Sequence, residues 1–559
     1  MRCPIESVSW RPAVVLSLLV ALPGCAPDFD LILEGGTVID GTGSGAFAAA
    51  VGIKAGFIVE VGDLAARSAT ERLDVSGLVV SPGFIDPHTH SRGTIFEIPT
   101  ADNFVLQGVT TLTEGNDGGS PLDLASFYDS LEAAGGTAPN FAMFVGHGTI
   151  RSEVIGSEDR PPTVDELEQM KNYVELGMID GALGLSTGLF YLPGSFAETE
   201  EVIELSRVAA AAGGIYISHM RNEDVDVLSS VRETIRIGRE AGIPVQMTHH
   251  KVGGQQNFGQ SEASIALMRD ARAEGIDITF DQYPYTASST GLSAIIPRWA
   301  QEGGDFDNRL TDVATRSRIE DDIKAFIEMR FADDPSKIQL VSCGISDENE
   351  FLEYLALEGA KGREERVSAA FPDDMTGWTL ADVLDSRRVD HTPQAIAELV
   401  IELDQAGGCS AIFHSFDESD IERFMQSEYG MIGSDGRLSH FGEASPHPRG
   451  YGTFPRVLGH YVRERGVIGL EEAVRRMTSA PADRLGFAGR GRIAEGAIAD
   501  VTVFDPVTVI DRATFEQPHQ YPVGIPYVFV GGVAVVRAGE VTGARPGVIL
   551  RGLGYLGGR

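Results

Sequence analysis

The stretch PGFIDPHTH, residues 82–90, decides how this chain is read. Its first half is a short apolar run that Pro87 brings to a stop, which reads as a buried strand over 82–86. His88 and His90 follow, two residues apart. In extended backbone alternate side chains share a face, so both imidazoles can reach one ion.

Seven further strand candidates follow: VTTLTE (109–114), APNFAMFV (138–145), GALGLS (181–186), IYIS (215–218), PVQMT (244–248), IDITF (276–280) and MIGS (431–434). Helical periods separate them, as in ETEEVIELSRVAAAAGG and DVLSSVRETIRIGREAG, each ending in glycine. Eight strands alternating with helices predict an α/β fold, a (β/α)8 TIM-type barrel. A doubly wound open sheet would need a Gly-rich dinucleotide turn after an early strand, and none is present. Strands seven and eight are too far apart for one βα unit, so an insertion is expected at about 297–407, with a strand at IQLVSC.

Both ends of the chain have a different texture. DLILEGGTVIDG and its neighbours up to residue 80, and the stretch from 481 onward, alternate apolar residues with glycine turns. Short β-segments seldom stay folded alone. A small β-sandwich domain built from 28–80 and 481–559 is therefore expected beside a catalytic region at 81–480.

In a parallel barrel the strand ends share one mouth. His88, His90, Glu114, Asp117, His147, His219, His249, His250, Lys251, Asp281 and Asp435 all follow strands directly. An imidazole-rich set with carboxylates suits zinc first, as one or two divalent ions. Asp435, after the last strand, faces back across the mouth as a candidate acid/base. His250 should point away, because adjacent strand residues alternate.

Composition narrows the partners. The 559 residues include 43% hydrophobic and 23% charged, enough for a large core. The net charge of −36 excludes a nucleic-acid partner, since such a surface repels phosphate backbones. The first residues read as a targeting segment: Arg2 and Arg11, an apolar run at 12–22, then Leu22-Pro23-Gly24-Cys25. This resembles a bacterial lipobox. The resemblance implies cleavage before Cys25, lipid on its sulfur, and export to a membrane; Ala26 points to the outer membrane, facing the periplasm. Cys343 and Cys409 then remain, and are expected as buried thiols, with a disulfide open to them in an oxidising compartment.

The motifs together resemble the amidohydrolase superfamily, in its D-aminoacylase (N-acyl-D-amino-acid deacylase) branch. The matching stretches include PGFIDPHTH, LQGVTTLTEGNDG, ALGLSTGLFYLPGSFA, ISHMRNE, THHKVGG, DQYPYTASSTGL, MIGSDG and PHPRGYGTFPRVLGHYVRE. The resemblance implies hydrolysis of N-acyl-D-amino acids by metal-activated water. It makes His219 and His249 the tight metal ligands, His88 and His90 a second pair, and Asp435 the acid/base. It puts Lys251, Tyr283 and Ser289 on the substrate carboxylate, with Tyr191, Arg221 and Arg449 in matching motifs. One departure stands out. Many members carry cysteine where this chain has Asp117, in Gly115-Asn116-Asp117-Gly118; Asp117, or its rival Glu114, would then ligate through oxygen. A dipeptidase, a cyclic-amide hydrolase and a non-catalytic binding lipoprotein are the competing readings.

Overall fold

The computed structural model describes residues 27–344, 371 and 374–556. The targeting segment and Cys25 lie outside the described residues.

Eight parallel strands form the centre. They are β1 (Phe84–Asp86), β2 (Val109–Glu114), β3 (Asn140–Met143, continued by Val145–Gly146), β4 (Gly184–Gly188), β5 (Ile215–His219), β6 (Val245–Met247), β7 (Ile278–Gln282) and β8 (Gly430–Ile432). Each pairs with its sequence neighbours from β1 to β8. Every residue of β2, β4 and β5 is buried, as expected of strands covered on both faces. The two end strands meet through their C-terminal extensions. Asp435 N donates to His88 O at 2.9 Å, and Gly436–Arg437 pairs with Thr89–His90.

Helices fill the connections. Thr199–Ala211 and Val227–Ala241 are the two whose periods the sequence displays. The second buries Val231, Thr234, Ile235 and Gly238 and stops at Gly242, whose φ of 66° suits a residue without Cβ.

Both chain ends share one small domain. Val79–Pro82 pairs antiparallel with Val501–Phe504 in a seven-stranded sheet drawn from both termini. A four-stranded sheet from residues 29–74 packs on it, with Leu31, Val51, Ile53, Val80, Val501 and Phe529 between them. The last segment departs from the expected division. Val548 and Leu550 bond Phe141 of β3, so residues near 548–552 pack on the strand layer rather than in the small domain.

The insertion is larger than its composition suggested. Ala287–Gly291 and Ile338–Cys343 both pair antiparallel with Cys409–His414, and helices such as Val313–Phe331 and Pro393–Gln405 cover this sheet. It has its own core, with Ile319, Ile323, Leu340, Val400 and Ala411 fully buried. Its boundaries therefore lie at about 287 and 414, because a strand adjoining 297 supplies one edge of the sheet. Cys343 and Cys409 are not free thiols. The register sets them opposite each other, Cα atoms 4.2 Å apart, and they form a disulfide. Strand register is a long-range property that spacing in the sequence does not carry.

Candidate metal centre and catalytic cavity

Four histidines and two aspartates meet at the C-terminal ends of the strands. His88 and His90 follow β1, Asp117 follows β2, His219 ends β5, His249 follows β6 and Asp435 follows β8. Asp117 lies at the centre. Its Oδ1 is 3.6 Å from His88 Nε2 and 3.5 Å from His249 Nε2. Its Oδ2 is 3.6 Å from His90 Nε2 and 3.8 Å from His219 Nδ1. Two metal-capable sets result, His88–His90–Asp117–Asp435 and Asp117–His219–His249, sharing one carboxylate.

The donor chemistry fits a divalent cation. His88 is fully buried, yet among the described residues neither ring nitrogen has a hydrogen-bond partner, and His219 Nδ1 is also unpartnered there. Buried imidazole nitrogens left open in this way are costly unless an ion meets them. Three of the site residues hold left-handed backbone: Asp117 at φ 54°, His249 at 35° and Asp435 at 50°. Such conformations are sparsely populated for residues with Cβ and concentrate at functional sites.

Carboxylates and cations brace this group. Asp281 Oδ1 accepts from His249 N at 2.8 Å and lies 3.7 Å from His88 Nδ1. Asp86 accepts from His88 N and Ser434 N, and burial pushes its carboxyl up to about 7. Asp435 Oδ1 is 2.9 Å from His90 Nε2, and its Oδ2 is 2.7 Å from Arg449 NH1. Burial alone would raise the Asp435 carboxyl, but Arg449, His88 and His249 hold it well below the usual range. Glu223 was not singled out from the sequence. It sits 3.2 Å from His249 Nδ1, 3.5 Å from His219 Nε2 and 2.8 Å from Lys251 Nζ. Its place four residues after His219 was the only available signal.

A partly enclosed cavity opens over this centre. Tyr191, Lys251, Ser289 and Arg449 line it, with an apolar wall of Phe190, Ile295, Phe326 and Phe413. The Lys251 ammonium donates to Glu223 and to His249 O, and lies 2.7 Å from His249 Nδ1. Tyr283 is buried, its hydroxyl unpartnered among the described residues, with Arg449 Cζ 4.6 Å and Lys251 Nζ 5.8 Å from its ring centre.

Some strand-end residues do not join. His147 bonds Glu201 at 2.8 Å, away from the cavity. His250 points outward, as alternation predicts, to Ser264 Oγ at 2.7 Å and the Phe424 ring. Arg221 is not a cavity residue: it pairs with Glu233 at 2.9 Å and caps the carbonyls of Ser195 and Ala197, bracing the loop that carries Tyr191. Glu114 accepts from Thr89 and Ser91 hydroxyls and belongs to neither metal-capable set.

Comparison with known proteins places this arrangement. The family model described as the amidohydrolase family matches residues 71–536. The D-aminoacylase of Alcaligenes xylosoxydans xylosoxydans is 38% identical over 544 residues, 93% of this chain and 97% of that protein. A solved N-acyl-D-glutamate deacylase from Bordetella bronchiseptica, complexed with zinc and a phosphonate mimic of the tetrahedral intermediate, is 32% identical. It superimposes with a TM-score of 0.76, covering 94% of this chain and 99% of that one. A solved D-aminoacylase, described by its binuclear metal centre, is 36% identical with a TM-score of 0.76, over 94% and 100% of the two chains. A likeness that spans nearly the whole of both chains has one consequence: this chain belongs to the amidohydrolase family, in the branch of the D-aminoacylases.

Proposed function

We propose that this protein hydrolyses the amide bond of N-acyl-D-amino acids, giving a D-amino acid and a carboxylate. One observation carries the reading. Two histidine pairs converge on Asp117 within the same cavity as the Arg449-held Asp435, Lys251 and Ser289. The relatives named above are a D-aminoacylase and an N-acyl-D-glutamate deacylase, the latter complexed with zinc.

His219 and His249 with Asp117, and His88 and His90 with Asp117 and Asp435, would hold one or two divalent ions, zinc first. When bound, such an ion supplies Lewis acidity, lowering the pKa of water towards roughly 7 and polarising a carbonyl. The chain's own residues do the rest. Asp435, kept ionised by Arg449, accepts the water proton on its Oδ1 and returns it to the departing amine nitrogen. Glu223 and Asp281 fix the His249 ring and backbone. Ser289 and Lys251 line the cavity where the amino-acid half would lie, Tyr283 backs Lys251 and Arg449 from outside that lining, and Tyr191 closes one side. The phenylalanine wall excludes water and takes apolar groups.

The surrounding architecture is read in the same frame: the eight parallel strands close as a (β/α)8 barrel, with the small β-domain from both ends beside it. Export follows from the lipobox, with lipid on Cys25 as the membrane anchor, facing the periplasm from the outer membrane. The Cys343–Cys409 disulfide supports an oxidising compartment. Palmitate labelling that is lost in Cys25→Ser tests the anchor.

The decisive experiment for activity is a screen of paired D- and L-N-acyl amino acids with added zinc. Strong preference for the D forms is expected. Equal turnover of both hands, or of neither, removes the reading.

A further inference from the structure

Besides Arg437, three cations line the cavity wall: Lys251, Arg330 and Arg449. Lys251 is matched by Glu223 at 2.8 Å and Arg449 by Asp435 at 2.7 Å. Arg330 also lines the cavity but has no carboxylate partner among the described residues. Its Nε donates to Ser415 Oγ at 3.2 Å, and its guanidinium rests near the rings of Phe326 and Phe331, 5.7 and 5.9 Å from their centres.

The backbone opposite packs against it at ordinary contact distance. Arg330 ends the helix Val313–Phe331 of the insertion, and this end abuts Gly253 and Gly254, directly after Lys251-Val252. A Cβ at Gly253 would lie 3.6 Å from Arg330 NH2, and one at Gly254 would lie 3.4 Å from Met329 O and 3.7 Å from Arg330 Cα. Gly254 also has φ 83°. The insertion thus delivers an arginine to the wall that carries Lys251. Its charge also reaches the hydroxyl of Tyr283.

An N-acyl amino acid brings a free carboxylate into this cavity. Lys251 can meet it only by sharing its ammonium with Glu223. A guanidinium without an anion has planar paired donors suited to a carboxylate. We propose that Arg330 receives the free carboxylate of the substrate's amino-acid half, so that the insertion supplies a specificity residue to the strand-borne site. This rests on the acyl-amino-acid reading above. The competing account is local: a cation in a helix's last turn interacts favourably with the carbonyl end of its own helix.

The test compares wild type, Arg330→Met and Arg330→Lys on N-acetyl-D-leucine, N-acetyl-D-glutamate and N-acetyl-D-leucinamide, the amide being read by KM or by Ki as a competitor. Arg330→Met should raise KM for the acids roughly 10- to 100-fold, with kcat within about threefold. The amide should bind as before, and Arg330→Lys should recover part of the loss. A loss on N-acetyl-D-leucine assigns the α-carboxylate; a loss on N-acetyl-D-glutamate alone assigns the side-chain carboxylate. Unchanged KM for both acids, or an equal penalty on the amide, overturns the proposal. A variant that only melts earlier shows the helix-end role instead. If wild type is silent on every acyl amino acid, the underlying reading fails and takes this inference with it; an active wild type with unaltered Arg330→Met kinetics removes this inference alone.

Discussion

Arg449 and Asp435 form a buried ion pair, NH1 2.7 Å from Oδ2, with side chains 6% and 8% exposed. The guanidinium occupies one carboxylate oxygen and leaves the other beside the histidines, 2.9 Å from His90 Nε2 and 3.5 Å from His88 Nε2. Asp435 is thereby both ionised and aimed. Asp435→Asn keeps the shape and removes the proton acceptor. Turnover of an N-acyl-D-amino acid should fall by roughly 10²–10⁴, while metal bound through His219, His249 and Asp117 persists. A variant within tenfold of wild type would exclude Asp435 as the acid/base.

Asp117 is common to both metal-capable sets. Asp117→Ala should therefore lower the metal content of both, measured by elemental analysis after dialysis. His88→Ala should affect one set only. Asp117→Cys should raise the affinity for zinc relative to manganese, because thiolate is the softer ligand. Equal metal content in wild type and Asp117→Ala counts against the shared-carboxylate arrangement.

Glu223 touches His249, His219 and Lys251 at once. Glu223→Gln should weaken metal binding roughly 10- to 100-fold in equilibrium dialysis, as expected when a partner that orients a ligand is lost. Unaltered metal affinity would reduce Glu223 to a partner of Lys251 alone.

Glu201 is 4% exposed and bonds His147 and Arg151 inside the protein. Burial would raise its carboxyl, but His147 and Arg151 hold it below the ordinary 4.5. A depressed folded value means the stabilisation is full above about 4.5 and is lost as pH falls through the folded value. Glu201→Gln should cost about 3–5 kcal/mol near neutrality, since it leaves Arg151 without its charge partner. In urea unfolding the gap to wild type should narrow below the ordinary carboxyl value. A gap that stays constant through acid pH would contradict the charged pairing.

The insertion has a core of its own and one crosslink, Cys343–Cys409. Cys409→Ser should destabilise it by about 2–4 kcal/mol. Calorimetry of the variant should show an earlier transition, and wild type under reducing conditions should behave alike. Coincident melting of oxidised and reduced wild type would refute this contribution.

Much of the fold is legible because its signals are local. A strand stopping at Pro87, glycine at helix ends and apolar periods in the connections each depend on neighbouring residues. The His88–His90 pair and the outward turn of His250 match the alternation expected from the sequence, although His249 and His250 lie past the end of β6, where His249 takes left-handed backbone. Other features depend on distant partners. His147 follows β3 much as His219 ends β5, yet Glu201 draws it into the helix layer. Arg221 sits in a motif beside His219, yet Glu233 and two carbonyls hold it away from the cavity.

The amino-acid order alone determined which residue types stand at the strand ends, and hence the family and the kind of chemistry. Tertiary structure decided that Asp117 rather than Glu114 faces the histidines, that Cys343 meets Cys409, and that Glu223 and Arg330 reach the site. Each of these depends on register or on packing between segments far apart in sequence. Such contacts are set by the free energy of the whole chain, and no local pattern encodes them.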